Sequence, residues 1–242
     1  MESIFSRTEL LLGPENMLRL SKARVIVFGT GGVGSWCADG LIRSGVGHIV
    51  LVDPDKVNAT NVNRQLMATA KTIGRPKVEV LKERLQDINP DAGIEAVTTP
   101  YTAETADRFQ LEDYDYIIDA IDTLKNKILL INNASRTDST LFSSMGAALK
   151  TDPTKVTVSD FWKVDGDPFA RQIRKKMRQQ KTLPAKPFLA VWSPELMENR
   201  GVAEVEPDSG KACVNGTAVM VTAAFGFTLA SLVIKDICSK QF

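Results

Sequence analysis

Two acids and two cations, Asp53, Asp122, Arg64 and Lys77, lie downstream of a glycine-rich turn, Gly29-Thr30-Gly31-Gly32-Val33-Gly34. A short apolar run, residues 25–28, leads directly into that turn. Glycines at such a place let the chain reverse tightly and let backbone N–H groups approach a phosphate at the start of the next helix. Asp53 closes the next apolar run, residues 48–52, where its carboxylate can accept hydrogen bonds from a ribose hydroxyl. This much fits a dinucleotide as well as a mononucleotide, so a nicotinamide or flavin dehydrogenase is one reading.

The residues after Asp53 favour a nucleoside triphosphate. The segments Thr60-Asn61-Val62-Asn63-Arg64-Gln65 and Gly74-Arg75-Pro76-Lys77 add fixed cations that a dinucleotide does not require. Magnesium accompanying ATP needs oxygen ligands. Asp122 supplies a carboxylate at the end of the run Tyr116-Ile117-Ile118-Asp119-Ala120-Ile121, and ligands bind at the carboxyl ends of strands in an open parallel sheet. Each residue also has a plainer reading. Arg64 and Lys77 fit solvated surface charges, and Asp122 fits a helix cap. Lys77 opens a helix, where a cation opposes the helix dipole, so a nearby anion would account for it.

Apolar runs and helical patterns alternate along the chain, which predicts an α/β fold: Rossmann-like, doubly wound, with a mainly parallel sheet extended by antiparallel strands. Helices are expected over residues 14–21, 33–43, 77–88, 103–109 and 123–136, and strands over 25–28, 48–52, 94–98, 116–119 and 140–144. Residues 156–162 alternate as a strand with one exposed face does. The expected organisation is an ATP-binding part, residues 1–146, and an extension, residues 147–242, within one domain overall. At 242 residues, 43% hydrophobic and 24% charged, the chain has the composition of a soluble globular protein. A net charge of +1 provides no global field for nucleic acid or membrane. No secretory leader is visible at the start, and a cytoplasmic location is expected. The cysteines, Cys37, Cys213 and Cys238, are three and form no CxxC pair, and His48 is the only histidine. Neither disulfides nor a tetrahedral zinc site is therefore expected.

Two later stretches stand out. Arg171, Arg174, Lys175, Lys176, Arg178, Lys181 and Lys186 fall in a span, residues 168–194, without an acidic residue. Such a cluster suits contact with a phosphate backbone, and it equally suits a solvated helix or crossover loop. Residues 214–234 carry no charge, a length sufficient for a membrane span. Small and polar residues such as Asn215, Gly216, Thr222 and Gly226 favour a buried core or dimer-interface helix instead.

The segments GTGGVG, LVDPDKV, TNVNRQ, GRPK and IDAID together resemble the adenylation signature of the ubiquitin-activating (MoeB/ThiF) superfamily. The resemblance implies that Gly32 and Asp53 contact the nucleotide, with Gly29, Gly31, Gly34, Asn63 and Thr123 completing its site. It implies further that Asn61, Arg64 and Lys77 hold the phosphates, and that Asp122 serves magnesium. The implied cofactors are ATP and Mg2+. Phe5-Ser6-Arg7-Thr8 is similar to the segment that carries an arginine finger in that family, which makes Arg7 a candidate to reach a neighbouring subunit's ATP and implies a homodimer. Within the superfamily, residues 5–13, 32–36 and 218–227, with Ile88-Asn89-Pro90 and Asp152-Pro153-Thr154, look like the tRNA threonylcarbamoyladenosine dehydratase group. That group adenylates a threonyl carboxylate on tRNA and closes it into a ring, so tRNA is the implied partner, and sulfur-transfer or cysteine desulfurase partners are implied by relatives. Adenylation of a ubiquitin-like or sulfur-carrier protein is the alternative, and a non-enzymatic nucleotide-binding role is a further one. Cys213 reads either as a transient thioester carrier or as an inert buried thiol.

Overall fold

The computed structural model describes residues 3–201 and 214–239. Seven strands form one sheet in the order β3-β2-β1-β4-β5-β7-β6. These are β1 (Arg24–Phe28), β2 (His48–Val52), β3 (Gly93–Val97), β4 (Tyr116–Asp119), β5 (Thr140–Ser144), β6 (Thr157–Asp160) and β7 (Leu189–Trp192). All neighbours pair in parallel except β6 with β7, so the antiparallel extension is a single edge strand. The order reverses between β1 and β4, and an open sheet of this kind has a crevice for ligands at that point.

Every apolar strand residue has a face to fill. Val25, Val27, Ile49 and Leu51 join one core with α2 (Pro14–Lys22), α3 (Gly34–Arg43), α4 (Lys77–Ile88) and α7 (Val219–Ser239). Ile26, Phe28 and Ile117 join the other with α5 (Leu124–Ala134) and α6 (Pro168–Gln180). Helices therefore cover both faces, which is why the strands are continuously apolar rather than alternating.

Several elements differ in detail from the sequence pattern. Residues 103–105 do not begin an α-helix; a 3-10 turn spans Ala106–Phe109. Thr105 Oγ1 binds the Pro100 carbonyl and the Thr102 N–H, a local alternative to helical bonding. The strand expected over 156–162 stops at Asp160, whose carboxylate accepts from the Trp162 N–H and opens a 3-10 turn over Phe161–Lys163. Residues 6–12 form a helix, α1 (Ser6–Leu12), that the sequence pattern does not announce, and α1 packs on α2. In the basic stretch, Arg171, Arg174, Lys175, Lys176 and Arg178 lie in a helix, α6, and Lys181 and Lys186 in the connection after it.

The apolar C-terminal stretch starts its helix at Val219, not at residue 214. Among the described residues α7 is the one helix long and apolar enough to cross a membrane. It lies along α3, however, with Val221, Phe225, Leu229 and Val233 inaccessible to solvent. Close approach depends on Gly226: a Cβ there would stand 2.5 Å from the Val33 carbonyl oxygen and 2.8 Å from the Cys37 nitrogen.

Candidate functional site

The glycine turn sits at the carboxyl end of β1, at the point where the strand order reverses. Gly29 adopts φ +86°, and a Cβ on it would meet the Ala120 carbonyl oxygen at 2.6 Å. A Cβ on Gly34 would fall 1.8 Å from the Gly29 oxygen, and one on Gly32 would meet Arg64 Cγ and Thr222 at 3.3 Å. Gly31 is more open, with Gln65 Nε2 at 3.8 Å. Only glycine fits at Gly29 and Gly34, so the turn closes tightly enough to start α3 directly behind it.

Asp53, at the end of β2, is buried and fixed by backbone donors. Its Oδ2 accepts from the Thr30 N–H at 2.8 Å and its Oδ1 from the Asp55 N–H at 2.9 Å. The carboxylate thus ties the glycine turn to the loop after β2. Burial pushes the Asp53 carboxyl up from its ordinary range, and the Lys77 ammonium and the two N–H groups oppose that rise. Lys77, buried at the first position of α4, donates to Asp55 Oδ2 at 2.7 Å and lies 3.8 Å from Asp53 Oδ1. Asp55 is the nearer of the anions that its position at a helix start calls for.

Asn61 is buried, and its Oδ1 accepts from the Asn58 N–H in a reciprocal cap of a 3-10 turn over Ala59–Asn61. Asn63 reaches across to the segment before α7, its Nδ2 donating to the Thr217 oxygen at 3.0 Å. Arg64 donates to the Asn63 side chain and the Thr60 oxygen, both at 2.9 Å, while its own carbonyl is held by Trp36 Nε1. Burial lowers the Arg64 pKa, and the charge of the exposed Asp122 opposes that fall. Thr123, not Asp122, is the N-cap of α5. Arg7 is exposed on α1, beside Leu10 and Leu11, which are 86% and 82% accessible. The structure thus brings Gly29, Gly31, Gly32, Gly34, Asp53, Lys77 and Arg64 together around one turn, and Arg7 lies on the N-terminal helix α1.

Some of the supporting chemistry has no signal in the sequence. Thr30 Oγ1 and Gln65 Oε1, both buried beside the turn, have no hydrogen-bond partner among the described residues. Lys127 is fully buried and lies 2.8 Å from Asp119 Oδ2, and it donates to the Ile121 carbonyl at 3.1 Å. Ser143 Oγ donates to the same Asp119 oxygen at 2.7 Å, and the Ile121 N–H donates to Asp119 Oδ1 at 3.1 Å. Every one of these bonds braces the loop that ends in Asp122. A lysine in helical sequence gives no sign of this; the nearest signal is Asp119, an acid inside an otherwise apolar strand. Of the basic cluster, Lys186 Nζ is engaged by the Thr137 and Ser139 oxygens and Arg174 by the Phe161 oxygen. Cys213 lies outside the described residues. Cys37 is buried, and burial pushes its thiol pKa up, away from a reactive thiolate.

The turn, the cations and the orphaned polar atoms fit a bound triphosphate. Asp122 offers one carboxylate, which fits a magnesium ion held chiefly by phosphate oxygens and water. No group of three or more His, Cys, Asp or Glu side chains able to hold a metal by themselves occurs among the described residues.

Known proteins similar to this chain point to one family. The chain is 48% identical over 176 residues to the tRNA threonylcarbamoyladenosine dehydratase of Bacillus subtilis, spanning 73% of this chain and 69% of that protein. It is 35% identical to the Haemophilus influenzae protein of the same name, over 99% of this chain and 95% of that one. The crystal structure of the Escherichia coli tRNA N6-threonylcarbamoyladenosine dehydratase in complex with ATP matches with a TM-score of 0.84 at 34% identity, covering 96% of this chain and 93% of that chain. Residues 5–241 match the model of the ThiF family. This chain belongs to the ThiF family.

Proposed function

We propose that this protein uses ATP to adenylate the threonyl carboxylate of threonylcarbamoyladenosine in tRNA and then closes the product into a ring by dehydration. The observation that carries the reading is the array of Asp53, Lys77, Arg64 and Asp122 around the glycine turn, in a chain similar throughout its length to dehydratases of that name.

A carboxylate does not lose water at neutral pH, because hydroxide leaves poorly. A carboxylate oxygen instead attacks the α-phosphorus, the bond to the β-phosphate oxygen breaks, and pyrophosphate departs. The carbamoyl group then attacks the acyl carbon. AMP leaves with the former carboxylate oxygen, and a proton is lost. Lys77, Arg64 and the turn's N–H groups would hold the phosphates and stabilise the charge that develops there. Asn61, Asn63 and Thr123 would line the nucleotide site, and Asp53 would meet the ribose. Magnesium held by Asp122 would neutralise charge on the leaving pyrophosphate. Ring closure is intramolecular, and holding the carbamoyl group against the acyl carbon favours it through proximity and orientation. Mass analysis of nucleosides from hypomodified tRNA treated with the protein and ATP tests the reading, which requires a product lighter by one water. Exchange of pyrophosphate that depends on a Gly-Gly protein instead of tRNA would move the chain to the alternative of a protein-carboxylate adenylating enzyme.

Arg7 would act in a homodimer, reaching the partner's ATP. Arg7→Ala and Lys77→Ala proteins, each inactive alone, should on mixing recover about a quarter of wild-type activity, since half the dimers are mixed and each holds one complete site. No recovery after confirmed subunit exchange would overturn action of Arg7 across the subunit interface.

A further inference from the structure

Helix α6 buries Ala170, Ile173 and Met177 and turns Arg171, Lys175, Lys176 and Arg178 to solvent. Among the described residues no carboxylate forms an ion pair with these cations. Two of the arginines of α6 face aromatic rings. Arg174 lies 5.7 Å from the centroid of Phe161, a buried ring that stacks on Phe188. One helical turn on, the Arg178 guanidinium lies 5.6 Å from the centroid of Trp162. Trp162 differs from Phe161 in keeping 36% of its surface open. It is nevertheless held firmly: its backbone N–H donates to Asp160 Oδ1 at 2.8 Å, and the Phe161 ring packs edgewise on the indole at 5.3 Å.

A large ring fixed in the open beside a planar guanidinium and flanked by unpaired cations has the chemistry of a site for an unpaired nucleotide base. Bases stack on indole and guanidinium planes irrespective of sequence, while neighbouring cations take the phosphates. An acidic protein would satisfy the cations but has no use for the exposed ring. We propose that an unpaired base of the tRNA stacks on Trp162 and Arg178, with Arg171, Lys175 and Lys176 contacting the adjoining phosphates. This rests on the proposal that tRNA is the substrate.

The topology says which base this is not. Helix α6 starts at Pro168, with its N-cap Asp167 beside Gly146 at the carboxyl end of β5, on the edge of the sheet that carries Asp122. Trp162 follows β6, which runs antiparallel and ends opposite Leu189, the first residue of β7. Trp162 is therefore set back from the reaction edge by about one strand, roughly 13 Å. The stacked base is therefore one removed from the reacting adenosine, and the contact sets the register of the tRNA.

The test is binding of a labelled tRNA transcript across a salt series by wild type, Trp162→Ala, Trp162→Phe and the double variant Lys175→Gln/Lys176→Gln. Each variant is first shown to bind ATP and to melt as wild type does. Trp162→Ala should weaken tRNA binding roughly 5- to 150-fold with the salt slope intact, because stacking releases no counterions. Trp162→Phe should restore most of the affinity. The lysine pair should weaken binding and flatten the slope by roughly 1–2 units. Unchanged affinity in Trp162→Ala overturns the proposal, as does failure of Trp162→Phe to rescue. Equal weakening of poly-glutamate binding in Trp162→Ala also overturns it, in favour of an acidic protein partner. If wild type forms the cyclic nucleoside while Trp162→Ala keeps full affinity, only the stacking inference falls; if wild type forms none, the tRNA reading itself falls.

Discussion

Lys77→Met is expected to lower ATP-dependent AMP formation by roughly 10²- to 10³-fold, the loss typical when a fixed donor to developing negative charge is removed. Lys77 is buried at the start of α4, where its ammonium works against the helix dipole, and Asp55 and Asp53 hold it in place. Pinned on one side by carboxylates, it presents a pre-oriented positive charge that does not have to reorganise during the reaction. Removing it also leaves Asp53 buried with less compensation. Asp53 keeps its bonds to the Thr30 and Asp55 N–H groups, so the fold should lose only about 1–3 kcal/mol. Single-turnover AMP release, together with a thermal melt, separates the two effects. A variant that melts near wild type and still forms AMP at an undiminished rate would remove Lys77 from the phosphate site.

The largest effect on stability is expected at Lys127, which supports the site from beneath without belonging to it. Lys127→Met strands the Asp119 carboxylate in a place where neither partner has any solvent access. Breaking a buried pair from one side costs about 3–5 kcal/mol, and at about 2–4 °C per kcal/mol for a chain of this size the melting temperature should fall by roughly 10 °C. Ser143 and the Ile121 N–H still bind Asp119, but they cannot neutralise it. The double variant Lys127→Met/Asp119→Asn removes the stranded charge and should regain part of the loss. A single variant that melts within a degree or two of wild type would show that the pair is energetically idle.

The sheet is legible in the sequence because its strands are short apolar runs closed by punctuation. Residues 25–28 end in glycine, and residues 48–52 end in Asp53-Pro54. The glycine turn and Asp53 can be read for the same reason: their chemistry is local to a few neighbouring residues. Contacts distant in sequence cannot be read. Lys127 looks like any helical lysine until β4 and β5 bring Asp119 and Ser143 to it. The antiparallel arrival of β6 puts Trp162 against α6, so the pairing with Arg178 follows from topology. Helix α1 leaves no mark because it buries no residue of its own, and a short helix with exposed leucines carries no amphipathic period.

The close seat of Gly226 on the start of α3 has a consequence for how the protein comes into being. The turn that would receive the nucleotide is made before the helix on which it rests, since Gly32 lies against Thr222 of α7. Until α7 arrives, the flank of α3 formed by Trp36, Cys37 and Gly40 lacks the helix it packs on. A chain interrupted before that helix would have every residue of the adenylation signature and no backing for the turn they surround. Firm ATP binding is therefore expected only once α7 has been made and has docked on α3.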